Sequence, residues 1–213
     1  MNKAVIFDLD GVIVSTDAYH YKAWKKMADD EQLPFDEKLN HKLRGVSRME
    51  SLEIILKNAK KSNQFTDDEK LAMTDKKNAY YQTLLNDLDE SSLLDGTIKT
   101  INVLKERNIP IAIASSSKNA KRILDALDLT ESFDEIVDGT MIKSSKPDPE
   151  VFEKARNLLG VKSNECFVVE DAVSGIEAAK AANMKAIAVN DARKSTLADY
   201  KIDTLDDLLK IID

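Results

Sequence analysis

Four stretches of this 213-residue sequence end an apolar run in side chains that can do chemistry. "AVIFDLDG" closes on Asp8 and Asp10 with Gly11 behind them, and "IPIAIAS" closes on Ser115. "EIVDG" is followed by Lys146, and "CFVVED" closes on Glu170 and Asp171. Carboxylates brought together disfavour their own ionised forms unless a cation or a proton intervenes. Mg²⁺ meets that need, as a hard cation that takes carboxylate and backbone oxygens and leaves room for phosphate oxygens. With the Lys146 ammonium added, the group favours one further anion, a phosphoryl group. Asp8 is then expected to attack phosphorus as a carboxylate nucleophile and form an aspartyl phosphate. Asp10 is expected to give or accept the proton of the departing or attacking oxygen. Gly11 is expected to let the chain turn where a side chain would obstruct the phosphate, while the amides after Asp8 join Ser115 on the phosphoryl oxygens.

Each signal alone has a plainer reading. The two aspartates could form a solvated turn, Ser115 could cap the following helix, Lys146 could be a surface loop residue held extended by Pro147, and "VVED" could be a strand running out into solvent. Their arrival together, all at strand ends, favours a site, because ligands of an open α/β sheet gather beyond the carboxyl ends of its strands.

The elements needed to position them are visible. Apolar runs at 4–7, 109–115, 135–139, 166–171 and 185–190 are continuous rather than alternating and are separated by segments of helical period. This predicts an α/β fold, a Rossmann-like parallel sheet covered on both faces. "TIKTINVLKERN" sets Ile98, Ile101 and Leu104 on one face and stops at Asn108. "DPEVFEKARNLLG" reads as a helix with Asp148 as N-cap, Pro149 at its first position, Val151, Phe152, Ala155, Leu158 and Leu159 inward, and Gly160 as terminator. Residues 16–90 differ, with no β-branched run and three amphipathic helical patterns: Tyr19, Ala23 and Met27; Leu52, Ile55, Leu56 and Ala59; and a third that opens on Asp67 and Asp68. The expected organisation is a catalytic α/β core from 1–15 and 91–213, with a helical cap inserted at 16–90.

Composition limits the function classes. A net charge of −7 and no basic stripe argue against a nucleic-acid or membrane-surface role. The only cysteine, Cys166, sits among apolar neighbours, which rules out an internal disulfide and suits a reducing compartment. The first apolar run is too short for a signal segment or a membrane span. A cytoplasmic monomer acting on a small molecule is expected.

"FDLDGV", "ASSSKN", "KPDP" and "VVEDAVSGIEAAKAA" together resemble the haloacid dehalogenase superfamily across essentially the whole chain. The resemblance implies a Rossmann-like core with a mobile cap. It implies Asp8 as nucleophile, Asp10 as acid and base, and Ser115 and Lys146 on the transferring phosphate. Mg²⁺ would bind at Asp8, the Asp10 carbonyl and Asp171, with Glu170 beside it. "LRGVSRMESL" and "SSSKN" resemble the members that interconvert β-glucose 1-phosphate and glucose 6-phosphate, with glucose 1,6-bisphosphate as activator and intermediate. By matching positions, Arg48 would bind the phosphate that is not transferred, with Ser116, Lys118 and Asn119. His20 and Trp24 would face the substrate, and Thr16 would lie at the hinge. Arg44, Gly45, Val46 and Ser47 complete the substrate-binding segment of the cap. Arg44 stands where that pattern has lysine and Ser116 where it has alanine, and both keep or add polar capacity. A sugar-phosphate phosphatase of the same superfamily shares every core residue and is the alternative, with water rather than a sugar hydroxyl resolving the aspartyl phosphate.

Overall fold

The structure, a computed structural model, describes residues 3–43 and 46–212. The chain divides into two compact units, Met1–Ser15 with Asp89–Asp213, and Thr16–Leu88. It enters through β1 (Ala4–Phe7). The outgoing and returning segments touch within the first unit: Val14 bridges Leu93, Ser15 N donates to Ser92 O at 2.9 Å, and Leu94 N donates to Ile13 O at 3.0 Å.

The helical unit contains α1 (Asp17–Asp30), the short α2 (Glu37–Asn40), α3 (Arg48–Asn58) and α4 (Asp67–Leu84). α3 and α4 begin for the same local reason. Ser47 and Thr66 accept from the amides of Glu50 and Glu69, whose carboxylates accept from the cap amides in return, so two orphan donors are satisfied at each start. One apolar cluster holds the unit, with Trp24, Met27, Ala28, Phe35, Leu52, Ile55, Leu56 and Met73 among its members. The inward stripe of α1 is Ala23, Trp24, Met27 and Ala28; Tyr19, expected on it, lies at its edge, half-buried.

The remainder alternates helix and strand as far as β5: α5 (Thr97–Glu106), β2 (Ile111–Ala114), α6 (Ala120–Ala126), β3 (Glu135–Val137), α7 (Glu150–Leu159), β4 (Cys166–Glu170), α8 (Val173–Ala181) and β5 (Lys185–Ala188), followed by β6 (Tyr200–Lys201) and α9 (Leu208–Ile211). The six strands are parallel, in the order β3-β2-β1-β4-β5-β6. Both alternating sets of side chains on β1, β2 and β4 are buried, so both faces of the sheet are covered.

Two local expectations change. Ile98 and Leu158 are exposed, because the inward faces of their helices run through Thr97, Thr100, Ile101 and Leu104, and through Val151, Phe152 and Ala155. α7 starts at Glu150 rather than at Pro149, and Asp148 accepts from the Glu150 amide at 2.9 Å from one position further out. β6 and α9 went unread because elements of two and four residues carry no periodicity. Asn108 and Gly160 adopt the left-handed conformation expected of terminators, with φ of 53° and 67°. Among the described residues, no helix is long and apolar enough to cross a membrane.

Candidate active site

The strand order reverses at β1, which has β2 on one side and β4 on the other. That is the position at which an open α/β sheet leaves a crevice beyond its carboxyl ends. Phe7 pairs in register with Val169, and the Asp8 amide continues the ladder by donating to Val169 O at 3.0 Å. The next step of the register therefore sets Asp8 beside Glu170, the last residue of β4.

Two neighbouring carboxylates need a cation, and the loop after β3 delivers one. Lys146 Nζ lies 2.5 Å from Asp8 Oδ1, 3.2 Å from Glu170 Oε2 and 3.2 Å from the Ala114 carbonyl, so three acceptors match the three ammonium donors. The ammonium also sits 4.7 Å from the Phe152 ring centroid. Asp8, Lys146 and Glu170 are 7%, 3% and 1% exposed, so these charges interact in a medium far less polarisable than water. Burial alone would lower the lysine's pKa, but the Asp8 and Glu170 charges outweigh it and hold the ammonium above the ordinary lysine range. Burial pushes the Glu170 carboxyl well up, and Asp8 adds to the rise while Lys146 opposes it.

Asp8, Glu170 and Asp171 each offer a carboxylate oxygen, all within 4.8 Å of one another. Three hard oxygen donors against one ammonium leave a net negative site, and that donor set fits Mg²⁺. Two glycines shape it. Gly11 has φ +83°, and a Cβ there would fall 2.2 Å from Asp171 Oδ2. A side chain at Gly11, expected to obstruct the phosphate, would meet the Asp171 carboxylate as its nearest neighbour. A Cβ on Gly175, in the first turn of α8, would lie 2.0 Å from the Glu170 side chain. The Gly11 amide donates to Val14 O at 2.8 Å and so is not among those turned to a phosphoryl oxygen. Asp10 sits half-buried in the same turn, bridged to Val14.

Ser115 follows β2 and is buried, with its Oγ accepting from Ser117 N at 3.1 Å. The cap position of α6 is Asn119 rather than Ser115. Ser116 Oγ is buried with no hydrogen-bond partner, and Lys118 is exposed.

In the helical unit, Thr16 is buried and its carbonyl accepts from the amides of Tyr19 and His20. His20 Nδ1 is 3.0 Å from Lys77 Nζ. An ammonium can only donate, so Nδ1 is the acceptor and the ring proton sits on Nε2. Burial, with Lys77 and Arg48 adding to it, holds the His20 pKa well below the usual imidazole value. Lys77 Nζ lies 4.4 Å from the Tyr81 ring centroid and 5.0 Å from that of Trp24, which is 3% exposed and part of the unit's apolar core. Arg48 opens α3 and lies 3.8 Å from Asp75 Oδ1. Ser47 spends its hydroxyl on the Glu50 amide, and Val46 is half-buried. Arg44 and Gly45, expected to bind substrate, lie outside the described residues, as does any cationic edge shared by Arg44 and Arg48.

The sequence reading missed Lys77 and Asn190. Met73, Lys77 and Tyr81 recur every four residues on the buried face of α4, a spacing that marks Lys77 as inward. Asn190 Nδ2 donates to Gly11 O at 2.9 Å, and the nearby Ala192 amide donates to Asp171 O at 2.7 Å, so the loop after β5 braces both acidic turns.

A sequence model of the haloacid dehalogenase-like hydrolases matches residues 2–183, and the chain belongs to that family. Within it, the chain is 42% identical over 206 residues to the β-phosphoglucomutase of Bacillus subtilis, covering 97% of this chain and 91% of the relative. The crystal structure of a β-phosphoglucomutase from Clostridium difficile superposes with a TM-score of 0.92 at 38% identity, covering 98% of this chain and 93% of that one. A phosphorylated carbohydrates phosphatase of Thermotoga maritima is 30% identical, covering 87% of this chain and 83% of the relative.

Proposed function

We propose that the chain is a Mg²⁺-dependent phosphomutase that interconverts β-glucose 1-phosphate and glucose 6-phosphate through an aspartyl-phosphate enzyme and glucose 1,6-bisphosphate. The observation that carries the phosphoryl chemistry is the buried Asp8 carboxylate, bonded to Lys146 beside Glu170 and Asp171. The likeness to the Bacillus subtilis mutase over nearly the whole chain supports the choice of reaction and sugar.

In this reading Asp8 attacks phosphorus, and the bond from phosphorus to the donor oxygen breaks as the bond to Asp8 Oδ forms. Asp10 protonates the departing oxygen and later accepts the proton of the sugar hydroxyl that takes the phosphoryl group back. Ser115 and Lys146 hold the equatorial phosphoryl oxygens, where preorganised donors meet developing charge at no reorganisation cost. Asp8, Asp171 and the Asp10 carbonyl would hold Mg²⁺, with Glu170 beside them. When bound, the ion supplies charge neutralisation for carboxylate and phosphate together. Arg48 holds the phosphate that is not transferred, with Ser116, Lys118 and Asn119, and the helical unit acts as the cap. His20, its proton on Nε2, is an uncharged donor directed by Lys77.

The Thermotoga maritima phosphatase and the fructose-1-phosphate phosphatase of Escherichia coli, 31% identical, favour a second reading, in which water releases the phosphoryl group. One assay separates them. The enzyme is incubated with β-glucose 1-phosphate, Mg²⁺ and a trace of glucose 1,6-bisphosphate, and glucose 6-phosphate and inorganic phosphate are followed separately. Glucose 6-phosphate without phosphate release is the expected result, and phosphate release alone would establish the phosphatase instead.

A further inference from the structure

Lys146 is carried by a long loop between β3 and α7, and a lone lysine on a loop is poorly fixed. Something must hold it between two carboxylates. Glu150, the first residue of α7, accepts at Oε2 from the amides of Lys143 at 2.8 Å and Ser144 at 2.9 Å, so one carboxylate oxygen gathers the two amides that lead into Lys146. Its own amide is bonded to Asp148 Oδ1 at 2.9 Å, which fixes the far side of the Lys146 segment to the same helix turn. Lys154, one turn on, reaches the Met141 carbonyl at the near end of the loop and lies 3.9 Å from Glu150 Oε1. The loop is thus tied to the start of α7 on both sides of Lys146. The two backbone donors, Ser144 first, hold the Glu150 carboxyl below the usual range, so it is ionised and a strong acceptor at neutral pH.

We propose that Glu150 is a positioning residue for phosphoryl transfer, its carboxylate clamping the 143–144 amides and thereby holding the Lys146 ammonium against Asp8 and Glu170. This rests on the reading of Asp8 and Lys146 as the phosphoryl-transfer pair. Glu150 itself touches neither Asp8 nor Glu170, so its effect passes through the loop.

The test uses the full chain with Glu150→Ala, Glu150→Gln and Glu150→Asp. Phosphorylation of Asp8 by acetyl phosphate, steady-state turnover of β-glucose 1-phosphate, and acetylation of Lys146 by acetic anhydride are measured in each. Glu150→Ala is expected to slow phosphorylation and kcat by roughly 10- to 100-fold with KM changed less than about twofold, as misplacement of a reacting group does. Lys146 is expected to become open to acetylation while the other buried lysine, Lys77, stays protected. Glu150→Gln keeps an oxygen for the two amides and is expected to recover most of the rate, whereas Glu150→Asp is too short and falls between. If Glu150→Ala does not fold, the same comparison is read from Glu150→Gln against Glu150→Asp. Rates within about twofold of wild type in every variant, or a loss accompanied by unchanged protection of Lys146, would overturn the proposal alone. A wild-type enzyme that turns over without phosphorylating Asp8 would overturn the site reading and the proposal with it.

Discussion

Asp8 and Glu170 share the ammonium of Lys146, at 2.5 and 3.2 Å, and this arrangement explains why two carboxylates can occupy adjacent buried positions. Taking such charges out of water is expensive, and only close pairing with full hydrogen bonding compensates. His20 faces the opposite problem, a half-buried base beside cations. Burial first, then Lys77 and Arg48, hold its pKa well below 6.5. Between that folded value and about 6.5, the unfolded chain binds more protons than the folded one, so stability falls as pH drops through that window and levels off below it. Replacing His20 with Gln is expected to remove this component. The urea midpoints at about pH 7 and about pH 5.5 should then draw closer together than in the wild type, with the sign set by the same linkage. An unchanged gap between them would show that His20 protonates freely in the folded chain.

The strand ends that carry the acids were legible in the sequence, but the shapes of their turns were not. An apolar run ending in Asp or Glu is a local pattern, so Asp8, Ser115 and Glu170 were found at their strand ends from the sequence alone, as were the terminators Asn108 and Gly160. What the pattern could not carry is which distant element each turn meets. Gly11 is required by Asp171, and Gly175 by Glu170. Lys77 was hidden because α4 looks polar all round, and its inward face appears only once Met73 and Tyr81 are aligned with it. Glu150 was hidden because its partners are backbone amides, which have no sequence signature. At this scale Gly11→Ala is expected to be costly twice over. The backbone at φ +83° disfavours any Cβ, by about 1 to 3 kcal/mol, and the added methyl group displaces the Asp171 carboxylate. A thermal melt should show the loss of stability, and the Mg²⁺ concentration for half-maximal activity should rise at least about tenfold, since moved ligands weaken a metal site. A variant with normal Mg²⁺ dependence would mean that Asp171 does not hold the ion.

The whole molecule is two units on one chain, and the chemistry divides between them. Asp8, Lys146, Glu170 and Asp171 belong to the parallel-sheet unit, where the proposed aspartyl phosphate would form. Arg48 belongs to the helical unit and is assigned to the phosphate that stays on the sugar. Arg48→Ala is therefore expected to leave phosphorylation of Asp8 by acetyl phosphate within about twofold of wild type. The same change should lower kcat/KM on β-glucose 1-phosphate by about 100-fold, the scale of a lost phosphate-guanidinium contact. Equal loss in both assays would remove Arg48 from that role. The most direct test is to expose the enzyme to acetyl phosphate with Mg²⁺, quench it in acid, and map the phosphorylated peptide by mass spectrometry alongside Asp8→Asn. The expected result is one phosphoryl group on the peptide containing Asp8, none in the variant, and none when Mg²⁺ is chelated. Turnover of the sugar phosphate with Asp8 unmodified, or with Asp8→Asn still active, would contradict the account.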